Sequence, residues 1–265
     1  MIENPVVCGS AGGLMKAKSF YLNLWQILPY STTSQITSIS KRDEIRYCFI
    51  KESINEVKSI SNNKEIRILD IGCGDMKFIS KFKIKKIDNV KIFGLDISQA
   101  AVKNAKKQGI NAYVLDVSEE KFPFSSDFFD ISYMGDVLEH LFDPDFTILE
   151  IKRVLKPGGY LIVSTPNLAC WYNRLLLAFG VQPIFSEVST QKIFGRPGIS
   201  KPCGHLRLFT LKSLIEFLEY YGFEVIKIKG TGFIKSPKII PIIDTFLTRI
   251  PSLSPLLVLV AKVKK

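Results

Sequence analysis

Histidine and tryptophan are scarce in this chain, two of each in 265 residues. Chemistry that needs an imidazole must therefore use His140 or His205. Cysteine is thin as well. Cys8, Cys48, Cys73, Cys170 and Cys203 are odd in number, scattered and without a CxxC pair, so neither a disulfide framework nor a zinc cluster is indicated and no bound metal is expected. That usage fits a reducing, cytoplasmic compartment. Acidic residues fall short of basic ones, 25 against 36, which leaves a net charge of +11 and favours anionic partners. The excess is spread along the chain except between Lys77 and Lys91, where lysines alternate with apolar residues. This run reads as a solvated helix face and strand entrance rather than a nucleic-acid patch. Long apolar runs are missing too. The segment from Met1 to Met15 carries an early acid, several glycines and no apolar core, so no secretory signal is expected. From Ile239 to Val260 the chain is apolar, but Pro241, Asp244, Arg249, Pro251 and Pro255 interrupt it, whereas a membrane span needs about 20 predominantly apolar residues. The tail reads as a helix followed by a buried strand, with peripheral membrane contact left open.

What the chain has is a 46% apolar composition, enough for one large α/β domain with a modest appendage. Residues 1–63 read as an N-terminal extension that ends in an amphipathic helix over Asp43–Ile60. Residues 64–265 then alternate strand and helix. RILDI, KIFGLD, AYVLD, FFDISYM and YLIVSTP are short apolar runs without polar alternation, the pattern of parallel strands covered on both faces. Between them Ser98 opens a helix closed by Gly109, and Asp143 with Pro144 opens another, with Ile148, Ile151 and Leu155 inward, closed by Pro157, Gly158 and Gly159. Thr210 opens a third, stopped by Gly222, and FEVIKIKG and LLVLVAKVK complete the sheet. The expected fold is a Rossmann-like, doubly wound α/β sheet, mostly parallel with an antiparallel final strand. The irregular stretch 166–209 is far longer than the usual connection of about 2–6 residues and reads as a lid or acceptor-binding insertion.

Chemistry concentrates at the strand ends. In ILDIGCGDMKF, an apolar strand ends on Asp70 and turns through Gly72 and Gly74 into a helix; a Cβ at either glycine would occupy the ligand's space or forbid the turn. Asp96, 26 residues beyond Asp70 and followed by Ile97, ends the next strand where a carboxylate can accept both hydroxyls of a ribose. Asp116 and Val117 end the third, placed for the amino group and ring edge of an adenine.

With these motifs in ordered sequence, and with FFDISYMGDVLEHL and LKPGGYLIV after them, the chain resembles the class I S-adenosylmethionine-dependent methyltransferases over about Ile66–Lys229. It is most similar to their small-molecule branch, that of the quinone-biosynthesis and methionine-biosynthesis-W-like proteins. The resemblance implies S-adenosylmethionine as cofactor. The Asp70–Gly72–Gly74 loop would meet its methionine part, Asp96 with Ile97 its ribose, and Asp116 with Val117 its adenine. VLEHL, from Val137 to Leu141, would lie at the strand-four exit beside the methyl group. One position departs from the family: Met76 stands where a third glycine is usual, and its side chain could narrow the methionine pocket. A nicotinamide-binding fingerprint is disfavoured because Lys77 stands where its third glycine belongs.

Methyl transfer from a sulfonium depends chiefly on placement, and a base is needed only when the acceptor must lose a proton. His140 and His205 are the catalytic candidates, each with the alternative role of bracing its loop. Asp136, Trp171, Tyr172, Asn173 and Arg207 are the candidates for holding the acceptor, against capping, lid packing and surface pairing as their structural alternatives. The expected acceptor is a small molecule, a lipid-linked precursor or a glycan, methylated on O, N or C. Two other functions stay open: a cofactor-binding partner that has lost catalysis, and a nucleic-acid methyltransferase, against which stands the lack of a DPPY-like or NPPY-like exit from strand four. The sequence does not specify an oligomeric state.

Overall fold

Along the central strands apolar side chains leave both faces of the sheet, and this alternation sets the layers. The computed structural model describes residues 40–61, 64–195, 202–232 and 246–264. Seven strands form one sheet: β1 (Ile66–Ile71), β2 (Val90–Asp96), β3 (Asn111–Val114), β4 (Phe129–Gly135), β5 (Leu155–Pro166), β6 (Phe223–Thr231) and β7 (Leu256–Val263). Their spatial order is β3-β2-β1-β4-β5-β7-β6. The first five pair in parallel, and β7 runs antiparallel between β5 and β6.

On one face Ile68, Ile92, Ile131, Ile162 and Val260 pack with α1 (Lys41–Ser61), α2 (Lys77–Lys81) and α3 (Gln99–Lys107). On the other, Leu69, Phe93, Leu161 and Leu259 pack with α4 (Pro144–Val154) and α6 (Leu211–Tyr220). Helix α1 drives Phe49, Ile50 and Ile54 into the first of these layers. Its solvent side reaches β6, where Lys227 pairs with Glu52 at 3.0 Å and Glu56 at 2.9 Å.

Local chemistry fixes the helix starts. Ser98 accepts from the Ala101 N–H, Asp143 accepts from the Phe146 N–H ahead of Pro144, and Thr210 and Ser213 form a reciprocal capping box. Three details differ from the expectations above. Helix α4 stops at Val154, so Leu155 begins β5 instead of closing the helix. Pro157, which has no N–H, and Gly158 at φ 74° form an irregularity between the pairs Phe129–Leu155 and Ile131–Tyr160. β3 ends at Val114, short of Asp116. The long insertion contains a helix of its own, α5 (Trp171–Ala178). Of the apolar tail, the final strand is present as β7, and residues 239–245 of the expected helix lie outside the described residues. Among the described residues no helix is long and apolar enough to cross a membrane.

Candidate active site

Strand order reverses between β2-β1 and β4, and parallel sheets bind ligands in the crevice outside such a switch point. Here that crevice is a cavity of about 260 Å³ at the carboxyl ends of β1, β2 and β4. Gly72 enters its wall from β1, Asp96 and Ile97 from β2, and Leu115 to Ser118 from the segment after β3. The β4 exit adds Gly135 to Val137 and His140 to Phe142.

The β1 turn depends on backbone geometry. Gly72 (φ 67°) and Gly74 (φ 53°) both occupy the left-handed region, and a Cβ on Gly72 would overlap the Val137 side chain. The Gly72 and Cys73 N–H groups bond the Leu95 carbonyl at 2.8 and 3.0 Å, tying the turn to β2. Asp96 is buried and accepts the Gly74 N–H on one oxygen and the Ser98 N–H on the other, both at 2.8 Å. This fixes its carboxylate at the cavity wall. Asp116 likewise accepts from the Ser118 N–H at 2.9 Å. Asp70 lies deeper, 3% exposed and behind the cavity wall; burial, then the Asp96 charge, raise its pKa well above the carboxylate range, against the pull of Arg46.

Met76 repeats the glycine conformation without being glycine, at φ 61°. Its side chain turns into the core with Ile79 and Tyr133, 1% exposed, and is not part of the cavity wall, so it does not narrow the pocket.

At the β4 exit Asp136 (φ 55°) is clamped by α1: Arg42 Nη1 lies 2.7 Å from Oδ2, Arg46 pairs with Oδ1, and Ser164 donates to Oδ1 at 3.0 Å. Burial acts to raise the Asp136 pKa, but the two guanidinium groups outweigh it and hold the carboxyl below its usual range. Glu139, three residues on, is 1% exposed and bonds the Thr165 hydroxyl at 3.0 Å. Burial, then the Asp136 charge, push its pKa up to about 8.

The two histidines meet although 64 residues lie between them, with ring centroids 4.8 Å apart. The His140 Nδ1 lies 3.0 Å from the Gly204 carbonyl, and burial lowers its pKa to about 4. The His205 Nδ1 lies 3.1 Å from the Phe185 carbonyl. The Glu139 carbonyl accepts the Leu206 and Arg207 N–H groups at 2.8 and 3.0 Å, and Glu187 accepts those of Cys203 and Gly204 at 2.6 and 2.8 Å. Arg207 donates to the Phe142 carbonyl at 2.6 Å. Asn173 is fully buried and bonds Leu168 and Ile184, while Tyr172 is buried beside Trp171, so this trio shapes the insertion rather than the cavity wall. Arg42, Arg46 and Glu187 lie in no motif, and no local signal in the sequence marks them.

A sequence model described as "Methyltransferase domain" matches residues 42–228, well over half of the chain. The chain belongs to the class I S-adenosylmethionine-dependent methyltransferases. This methyltransferase is 31% identical over 173 residues to an uncharacterized protein of Methanocaldococcus jannaschii, covering 65% of this chain and 72% of that one. It is 26% identical over 147 residues to a ubiquinone biosynthesis O-methyltransferase of Sinorhizobium fredii, covering 52% of this chain and 58% of that one. The match thus spans little more than half of that relative's length. Among solved structures, a SAM-dependent methyltransferase of Thermotoga maritima shares the fold at a TM-score of 0.52 and 23% identity, covering 80% of this chain and 88% of that one. The cavity suits the cofactor that the family implies: Gly72, which must stay without a Cβ because Val137 packs against it, presents bare backbone in the wall, and Asp96 is held at the β2 exit by two amide donors.

Proposed function

We propose that this methyltransferase methylates an oxygen of a small acceptor that carries an apolar portion. The observation that carries this reading is the single cavity wall that joins Gly72, Asp96, Asp116 and His140. Asp96 and Ile97 hold the ribose, Asp116 and Val117 the adenine edge, and the Gly72–Gly74 turn with Asp70 behind it the methionine part. S-adenosylmethionine supplies an electrophilic methyl group on sulfur. His140 faces the cavity from the β4 exit, next to His205 on the acceptor side. The insertion is anchored to this side through Glu187 and the Phe185 carbonyl, so it shapes the acceptor's approach. It also exposes Leu175, Leu177, Phe179, Val188 and Phe194, which supports an acceptor with a lipid-like portion. The likeness to a ubiquinone biosynthesis O-methyltransferase supports oxygen as the atom methylated. Placement is the main catalytic contribution here, since oriented reactants can save about 7–11 kcal/mol of barrier.

Calorimetric titration with S-adenosylmethionine, S-adenosylhomocysteine and NAD, repeated with Asp96→Ala, tests the cofactor half of the proposal. The two sulfur nucleotides should bind and NAD should not, and Asp96→Ala should weaken them at least tenfold. Preference for NAD, or unchanged affinity in the variant, would overturn it. Methyl incorporation from labelled cofactor into phenolic acceptors with and without an alkyl chain tests the other half.

A further inference from the structure

Glu139, His140 and His205 come together from two distant segments, with one potential ligand atom from each lying within 4.8 Å of the others. Both imidazoles have the same hydrogen-bond polarity. A backbone carbonyl only accepts, so a neutral ring whose Nδ1 lies 3.0 or 3.1 Å from one carries its proton there and its lone pair on Nε2. This is the orientation second-sphere carbonyls impose on metal-bound histidines. The third member is a carboxylate buried to 1% exposure that forms no ion pair among the described residues. Its Oε2 is oriented by Thr165, as outer-sphere hydroxyls orient ligand carboxylates.

The frame around the three is built rather than incidental. The Glu139 carbonyl holds the Leu206 and Arg207 amides, and Glu187 holds those of Cys203 and Gly204, so the segment bearing His205 is docked on the segment bearing the other two. Ligand atoms around an ion at about 2.1 Å are about 3–4 Å apart, so closure needs only a small side-chain movement from the spacing here.

We propose that Glu139, His140 and His205 form a divalent-cation site on the acceptor side of the cavity. Two imidazoles and one carboxylate leave open positions on the ion, and this donor set suits zinc, iron, cobalt or manganese rather than calcium. His140 belongs both to the cluster and to the cavity wall, so an open position faces the acceptor. The site would take an acceptor hydroxyl or phenol. With a cation held there, that oxygen would bind it, release its proton to solvent and receive the methyl group, the bond between methyl and sulfur breaking with its electron pair kept on sulfur. The inference rests on the proposed reading of the cavity as the methyl-transfer site, and it departs from the sequence expectation that no metal is bound.

The test uses the full chain dialysed against a chelator, then titrated with zinc chloride and, separately, cobalt chloride. Stoichiometry is read by elemental analysis and the cobalt ligand set by visible absorption. One ion per chain is expected. Glu139→Gln and His205→Ala should each weaken it at least tenfold and change the cobalt spectrum, whereas Asp96→Ala should leave metal binding intact. S-adenosylhomocysteine binding, measured on the same metal-free samples, reports separately on the cofactor cavity and on whether each variant is folded. Absence of stoichiometric metal in the unaltered chain, or equal binding by variants that still bind S-adenosylhomocysteine, would overturn the site without touching the cofactor assignment.

Discussion

Two residues beside the first glycine turn occupy costly positions, and each shows which force wins there. Met76 holds a left-handed conformation that costs an L-residue about 1–2 kcal/mol. Burying its side chain to 1% exposure is worth about 1.5–3 kcal/mol, so packing offsets the backbone cost. Asp70 is buried to 3% exposure, and its pKa is raised by that burial and then by Asp96. A carboxylate with a raised folded-state pKa favours folding only when protonated. Its contribution is fully present below the unfolded value near 4 and is lost as pH rises through the folded value. Asp70→Asn should therefore raise the urea midpoint at neutral pH, by about 0.5–2 kcal/mol of stability, with the gain vanishing below about pH 4. On the proposed placement of the methionine part, it should also weaken S-adenosylmethionine, whose ammonium group would lose a carboxyl group able to ionise beside it. Denaturation series at several pH values read the first effect, and an equal difference between the proteins at every pH would show that Asp70 has the same pKa in the folded and unfolded states. The sequence placed an acid at this strand end, but not how deeply it would be buried, because burial depends on α1 and β4 packing over it.

At the scale of elements, the joint between α1 and the β4 exit is the part of the site that sequence reading missed. The helix itself was readable, since Phe49, Ile50 and Ile54 fall on one side of it. Its purpose was not, because Arg42 and Arg46 meet Asp136 only after about ninety residues of sheet have folded between them. Arg46 is almost fully buried, whereas about a quarter of the Asp136 side chain is exposed and Arg42 remains as a second partner. Removing one partner of a buried pair costs about 3–5 kcal/mol, and this partial exposure places Arg46→Met nearer about 2–3 kcal/mol. Asp136→Asn in the same chain should recover part of that loss, because it removes the charge left unpaired. A double-mutant cycle by chemical denaturation measures the coupling, and additive losses would show that helix and loop stabilise the protein independently. The cap residues Ser98, Asp143 and Thr210 were legible because each acts on amides within three residues. The insertion was legible only as an overlong connection, because its order comes from bonds such as His140 to Gly204, 64 residues apart.

For the whole molecule, the strands could be read because a sheet covered on both faces demands apolar runs, and the strand ends could be read because a nucleotide cradle demands glycine and acid there. The antiparallel final strand was expected and is present, but sheet order depends on which edges remain unpaired, which no local pattern specifies. β7 resolves that question. It fills the gap between β5 and β6, and its six large apolar side chains, from Leu256 to Val260 and Val263, are each 7% exposed or less. At about 1.5–3 kcal/mol each, their burial rivals the net stability of a typical domain, about 5–15 kcal/mol. Removing residues 256–265 would also leave β5 as a long apolar edge and β6 without a partner, a template for pairing between chains. The truncated chain should be insoluble, or should lose its cooperative urea transition and its affinity for S-adenosylhomocysteine together, although no cavity-lining residue has been removed. Solubility, denaturation and calorimetry on the same sample decide it. A cooperative transition with intact ligand binding would show that the five parallel strands with α1 form a self-sufficient unit, on which β6 and β7 are an added layer.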